Sequence, residues 1–310
     1  MTKRLRNQHG RSVHVVLTIA ATVLLFSGPV VVAFGQEPGD TPWMRYEQGV
    51  IAFGEGRLGE AMLHFRAAAS ARSPFPEAEF GIGRVFQAEG SLDLALRHYQ
   101  LALSQAEHLD PRETEVLIRY QIAEVRRLRG EVGEFERILG EIAREEEAPR
   151  DVATAGLPQA HLAVLRNQGI DRLMVLYRLQ EGFSHRARRE LGVHLADTNR
   201  YEEGLPHLLT AAMKGLSTLA DDLRRSQYDY RWTELGTVVA DAWDHAHLRD
   251  YIERVELFRT LYYLGLALET EFPDSDSAQA IWRALAVLPI ADQWHLLALQ
   301  RVGGPIFRRR

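Results

Sequence analysis

Residues 49–69, GVIAFGEGRLGEAMLHFRAAA, and residues 83–103, GRVFQAEGSLDLALRHYQLAL, decide the fold. Laid over each other they match at a constant offset of 34 residues: Gly49 with Gly83, Gly56 with Gly90, Leu58 with Leu92, Ala61 with Ala95, Phe65 with Tyr99, and Ala68 with Ala102. Six matches in one register mark an internal repeat. A period of this length belongs to stacked supersecondary units, each of which buries its apolar face only against a neighbour. The spacing predicts two antiparallel helices per unit, near 42–54/58–71 and 76–89/92–106. Gly49 and Ala61 are expected where the two helices approach most closely, and Phe65 and Tyr99 in the gap between units. Gly56 and Gly90 supply the left-handed residue that ends a first helix.

These residues resemble the tetratricopeptide repeat (TPR) family, over residues 42–109. Arg45 and Glu79 stand where the family has a large residue near the start of the first helix, with Tyr46 and Phe80 beside them. The resemblance implies an all-α protein, a right-handed α-solenoid of helix-turn-helix repeats, that works as a scaffold holding other proteins rather than as an enzyme. The first helix of each unit would line the concave face. In that register the inward positions are Trp43, Tyr46, Val50 and Phe53 in the first unit, Phe80, Arg84 and Gln87 in the second, and Tyr120, Glu124 and Arg127 in the third. An aromatic thus recurs at one position in Tyr46, Phe80 and Tyr120, and again in Tyr262. Aromatic and Arg side chains are favoured anchors for a partner segment, and the same rings would also serve as ordinary helix–helix core.

Beyond the second unit the pattern loosens. In the third, Asp110 is expected to cap a helix with Pro111 in its first turn; Ala123 and Gly130 fit, and Phe135 replaces the usual alanine. Residues 145–157 read as a linker whose Glu145, Glu146 and Glu147 are solvated. Short helices are expected near 158–167 and 170–181. A fourth unit follows, with Gly192, Tyr201, Gly204, Leu208 and Ala211 in the matching places. Its second helix is expected to begin near Glu203, so that Pro206 falls in a tolerated position. Long amphipathic helices over 231–247 and 249–271, and a last helix over 290–301, complete a less regular helical C-terminal half. The expected division is a signal peptide over 1–35, TPR-like repeats over 36–148, and a helical domain with degenerate repeats over 149–310.

The chain has 310 residues, 46% hydrophobic and 25% charged, ordinary values for a protein with a real core. It has no cysteine, which excludes disulfides, thiolate metal sites and cysteine nucleophiles. Lys3, Arg4, Arg6 and Arg11 precede an apolar stretch from Val13 to Ala33, and Ala33 and Gly35 place small residues before Gln36. This order describes a secretory signal peptide. The alternative is an uncleaved anchor over residues 13–33. Either reading predicts export, to the periplasm or cell envelope or into the medium, and membrane contact only through this segment. Removing residues 1–35 takes away four positive charges and moves the formal charge from −5 to −9. That balance argues against nucleic acid as a partner.

Chemical motifs are sparse. Asp241, Asp244, His245 and His247 suggest metal ligands, but residues two apart diverge on a helix, and a charged surface is the plainer reading. Residues 228–232, YDYRW, suggest a stacking surface or helix–helix core. The basic tail Arg308–Arg310 suggests an anionic contact or a solubilising end. No nucleotide-binding loop, nucleophile elbow or zinc-protease motif is present, so no cofactor, metal or catalytic residue is assigned. The expected partner is another protein or a peptide segment. Two rival readings stand: a ligand-binding or enzymatic C-terminal half docked through the repeats, and a structural component of an envelope assembly. Nothing in the sequence sets an oligomeric state.

Overall fold

The structure, a computed structural model, describes residues 41–111, 113–147, 157–288 and 292–302. The proposed signal peptide or anchor and the basic tail therefore lie outside the described residues. Among the described residues there are fourteen α-helices and no strand, so the chain is all-α. No helix among them is long and apolar enough to cross a membrane. The described residues, from Thr41 onward, pack as one compact unit.

The first six helices form three hairpins: α1 (Pro42–Gly54) with α2 (Leu58–Ala71), α3 (Pro76–Ala88) with α4 (Leu92–Leu103), and α5 (Thr114–Leu128) with α6 (Val132–Glu147). Successive hairpins meet through α2 on α3 and α4 on α5, while α1, α3 and α5 lie side by side as a layer of first helices. Thr41 starts α1 by accepting the Met44 amide at 3.3 Å, with Pro42 in the first turn. Gly56, Gly90 and Gly130 end the three first helices at φ near +75°. The residue after each sends its amide five residues back: Arg57 to Ala52, Ser91 to Phe86, Glu131 to Arg126. This turn satisfies carbonyls that a helix end leaves open.

The glycines inside the first helices serve close packing. A Cβ on Gly49 would lie 2.6 Å from the Phe65 ring, one on Gly81 2.7 Å from that same ring, and one on Gly83 2.5 Å from Tyr99. Gly49 thus faces the Phe65 ring, Gly83 also approaches the Ala95 carbonyl at 3.3 Å, and Phe65 wedges between its own hairpin and the next. Gly49→Leu is expected to overpack this contact and cost about 1–3 kcal/mol, read as a lowered urea midpoint at unchanged slope.

The later helices keep the hairpin logic with other residues. Helix α7 (Leu157–Leu176) is broken at Gly169, where φ is +81°, which separates two short helices as expected, but the second ends at Leu176 and not near 181. The chain then runs non-helical until α8 (His185–Asp197), which pairs with α9 (Tyr201–Ser226). Asn199, at φ +60°, takes the place of the turn glycine, and Arg200 sends its amide back to Leu195; asparagine tolerates this conformation. A Cβ on Gly192 would lie 2.7 Å from Leu208, so this hairpin too is notched against a residue sixteen positions on. Helix α9 starts at Tyr201, close to the expected start at Glu203, and carries Pro206 inside it. The expected 231–247 and 249–271 helices are instead α10 (Leu235–Trp243), α11 (Ala246–Arg254) and α12 (Leu257–Glu271), broken at Asp244–His245 and at Glu256, whose φ is +49°. Helices α13 (Ser277–Ala286) and α14 (Gln293–Leu299) follow, and the largest core cluster fills the space among α7 to α14, with Trp282 fully buried.

Two more expectations are corrected. Asp110 does not cap α5; its amide donates to the buried Glu77 at 2.7 Å. The acidic run is not a solvated linker, because α6 continues through Glu147. Glu145 takes a hydrogen bond from Arg119 at 2.5 Å, and Glu146 pairs with the buried Lys214 and accepts from Ser184.

That last cluster belongs to a polar seam where α6 packs on α8. Arg188 donates to the Ala143 carbonyl at 3.3 Å and to His207 Nδ1 at 2.9 Å. Burial, with Arg188 and Arg144 adding to it, pushes the His207 imidazole down to about 4 from its ordinary 6.5. An unfolded chain binds this proton at a higher pH than the folded one. The contribution of neutral His207 is thus fully present above pH 6.5 and lost as pH falls toward 4. His207→Asn, which keeps an acceptor for Arg188, is expected to remove about 2 kcal/mol of that acid-side loss, measured by urea melts across pH 4–7.

Candidate functional site

Trp43, Tyr46, Val50 and Phe53 share one face of α1, since residues three, four and seven apart are helix neighbours. All four are half-buried. Trp43 meets Tyr46 edge-on at 5.5 Å, and Tyr46 leans on Phe65 and Phe75, each at 5.7 Å. Arg72 covers one end of this row, 5.6 Å from the Trp43 ring and 5.0 Å from Phe75. Arg84 of α3 covers the other end, its guanidinium carbon 4.2 Å over Phe53 and 5.9 Å from Phe80. The Tyr46 hydroxyl is pushed up chiefly by burial, then by Glu47 and Glu77, with Arg84 pulling it back.

The row does not continue as an open surface into the next units. Phe80 is only 8% exposed and packs against Tyr99 at 5.6 Å, so it is core rather than groove wall. Tyr120 is 4% exposed. Its hydroxyl donates to the Phe183 carbonyl at 2.6 Å and accepts from the Ala187 amide at 2.9 Å, while Arg186 lies 4.8 Å over its ring. Burial pushes this hydroxyl up to about 12. The chain's own segment before α8 therefore occupies the place where a third groove ring is expected.

The polar members divide in the same way. Gln87 is half-buried and accepts from the Tyr99 hydroxyl at 2.5 Å. Arg127 donates twice to Glu124, at 2.8 and 2.6 Å, a closed pair on the surface of α5. The structure thus brings together Trp43, Tyr46, Val50, Phe53 and Arg84, with Gln87 one turn further along α3. Glu124 and Arg127 form a separate charged patch. Two neighbours escaped the sequence reading. Glu77 stands 34 residues after Trp43, so the repeat itself pointed to it. Arg72 lies between helices and carried no such signal.

The other candidates fall to ordinary roles. Asp241 accepts from Tyr230 at 2.8 Å, and His247 bonds Asp222 at 2.7 Å. No group of three or more metal-ligating side chains occurs among the described residues. In the 228–232 segment Trp232 is buried and Tyr228 fully exposed. Tyr262 is half-buried in a cluster with Tyr263, Trp282 and Trp294.

Fold and surface together define an all-α protein of packed helical hairpins with a half-exposed aromatic row on α1. No family model matches the chain. A protein of Treponema pallidum (strain Nichols), described as "Uncharacterized protein", is 26% identical over 193 residues, which cover 62% of this chain and 52% of that protein. The chain spans about half the length of this relative.

Proposed function

We propose that the chain is an exported, TPR-type interaction scaffold, a right-handed α-solenoid that holds a segment of a partner protein along α1 and α3. The observation that carries this reading is the α1 row with Arg84. Its rings stay half-exposed, whereas the rings at the same register in the next two units are buried. Large apolar and aromatic side chains left at a surface beside an arginine have the composition of a binding hot spot. The 34-residue repeat and the hairpin packing support the family resemblance. The basic and apolar order of residues 1–35 supports export, with N-terminal sequencing of the native protein expected to begin at or near Gln36.

Site-directed photo-crosslinking in the native cells tests the binding surface. A photoreactive residue at Val50 is expected to give a discrete adduct identifiable by mass spectrometry, and one at the exposed Leu63 of α2 none. Adducts from Leu63 with none from Val50 would sink the groove reading.

A further inference from the structure

We infer that Arg84 is the receptor for an aspartate or glutamate side chain carried within the partner segment. This inference rests on the groove reading above and gives the partner its chemistry. Among the described residues Arg84 forms no hydrogen bond or ion pair with a carboxylate, although it is partly buried. Its surroundings are aromatic: Phe53 at 4.2 Å, Phe80 at 5.9 Å, and the hydroxyls of Tyr46 and Tyr99, which both feel its charge. The arginines of α5 differ. Arg119 bonds Glu145 at 2.5 Å, Arg126 pairs with Glu131, and Arg127 is closed by Glu124. A guanidinium laid against a ring uses its face there and keeps its N–H edge for a planar acceptor. The ring contact also fixes a side chain that would otherwise lose rotamer freedom on binding, so the cation is held ready.

The place in the fold selects the acceptor. Arg84 lies in the body of α3, whose amides are used by the helix, so no free N–H groups stand by to cradle a chain-terminal carboxylate. The apolar row runs on from Arg84 toward Trp43, and Gln87 lies on its other side, so a segment crossing Arg84 continues in both directions. A doubly charged phosphate is matched by clusters of arginine, and the other arginine of the row, Arg72, lies at its far end. One side-chain carboxylate, flanked by apolar residues that cover Phe53 and Tyr46, fits these conditions.

Selection of phage-displayed random dodecapeptides on the full chain, purified in mild detergent, tests this. The library presents internal segments only. Arg84→Gln and Arg84→Lys are run in parallel, with thermal melts of each. The wild type is expected to enrich Asp or Glu about five-fold at one position beside an apolar consensus. Arg84→Gln is expected to lose that enrichment while keeping the apolar consensus and the melt, and Arg84→Lys to keep part of it. In fluorescence anisotropy, changing the enriched acid of the selected peptide to its amide is expected to weaken binding about ten-fold on the wild type and not at all on Arg84→Gln. A consensus without an acid, or one that stays acidic on Arg84→Gln, overturns the inference and leaves the groove standing. A consensus indifferent to Phe53→Ala, or no enrichment of any peptide, removes the groove and the inference together.

Discussion

Glu146→Ala is expected to cost about 3 kcal/mol at pH 7, because it leaves a charged Lys214 buried without its partner. Lys214 is 6% exposed, and Ser184, its other hydrogen-bond partner, is fully buried. Removing one member of a buried pair leaves an uncompensated charge, whereas replacing both with apolar side chains of similar volume is often neutral. The double variant Glu146→Leu with Lys214→Met is therefore expected to recover most of what the single variant loses. Urea unfolding of the two variants and the wild type measures both numbers. Equal destabilisation of Glu146→Ala and the double variant would mean that Glu146 acts through Ser184 or helix packing, and not through the ammonium.

Phe80→Ala is expected to cost about 3–5 kcal/mol and Phe53→Ala only about 1 kcal/mol, although both rings lie against Arg84. Phe80 is enclosed by α3, α4 and their neighbours, so truncation leaves a cavity on top of the lost transfer energy. Phe53 is half-exposed, and solvent or a neighbouring side chain fills the space it leaves. On the groove proposal the order reverses in partner binding: Phe53→Ala is expected to weaken it by about 1–2 kcal/mol, and Phe80→Ala to leave the affinity of its folded fraction unchanged. Thermal melts and affinities on the same two variants check both halves.

The first two hairpins were legible because the residues that make them recur at one offset. Gly49 meets Phe65 and Gly83 meets Tyr99 within their own units, so local spacing carries these contacts. The fourth hairpin was legible through Gly192 and Leu208, while its turn was missed because Asn199 does the work of a glycine. What escaped was set by residues far along the chain. Tyr120 reads as a groove ring until Phe183 and Ala187, more than sixty residues on, close over it. The acidic run reads as solvated because Lys214 lies 68 residues from Glu146. The breaks at Asp244–His245 and Glu256 follow from the packing of α10 to α12 around one core, and no glycine or proline announced them. For the site, periodicity gave the face of α1, and only burial separated Phe53 from Phe80.

The distribution of contacts along the chain also sets the order in which the molecule assembles. From α1 to α6 each helix touches its immediate successors, so few intervening residues must be ordered before a contact forms. Such local closure is fast, and the first three hairpins can zip from either end. The C-terminal half closes differently. Ile170 donates its amide to Ser277 across 107 residues, and α7 packs on α13 with α8 to α12 between them in sequence. Loop-closure entropy leads us to expect that step to be the slow one. Refolding followed by pulsed hydrogen exchange should protect the amides of α2 to α5 first and the Ile170 amide last. A newly made chain would then have the α1 row in place before its C-terminal half is closed.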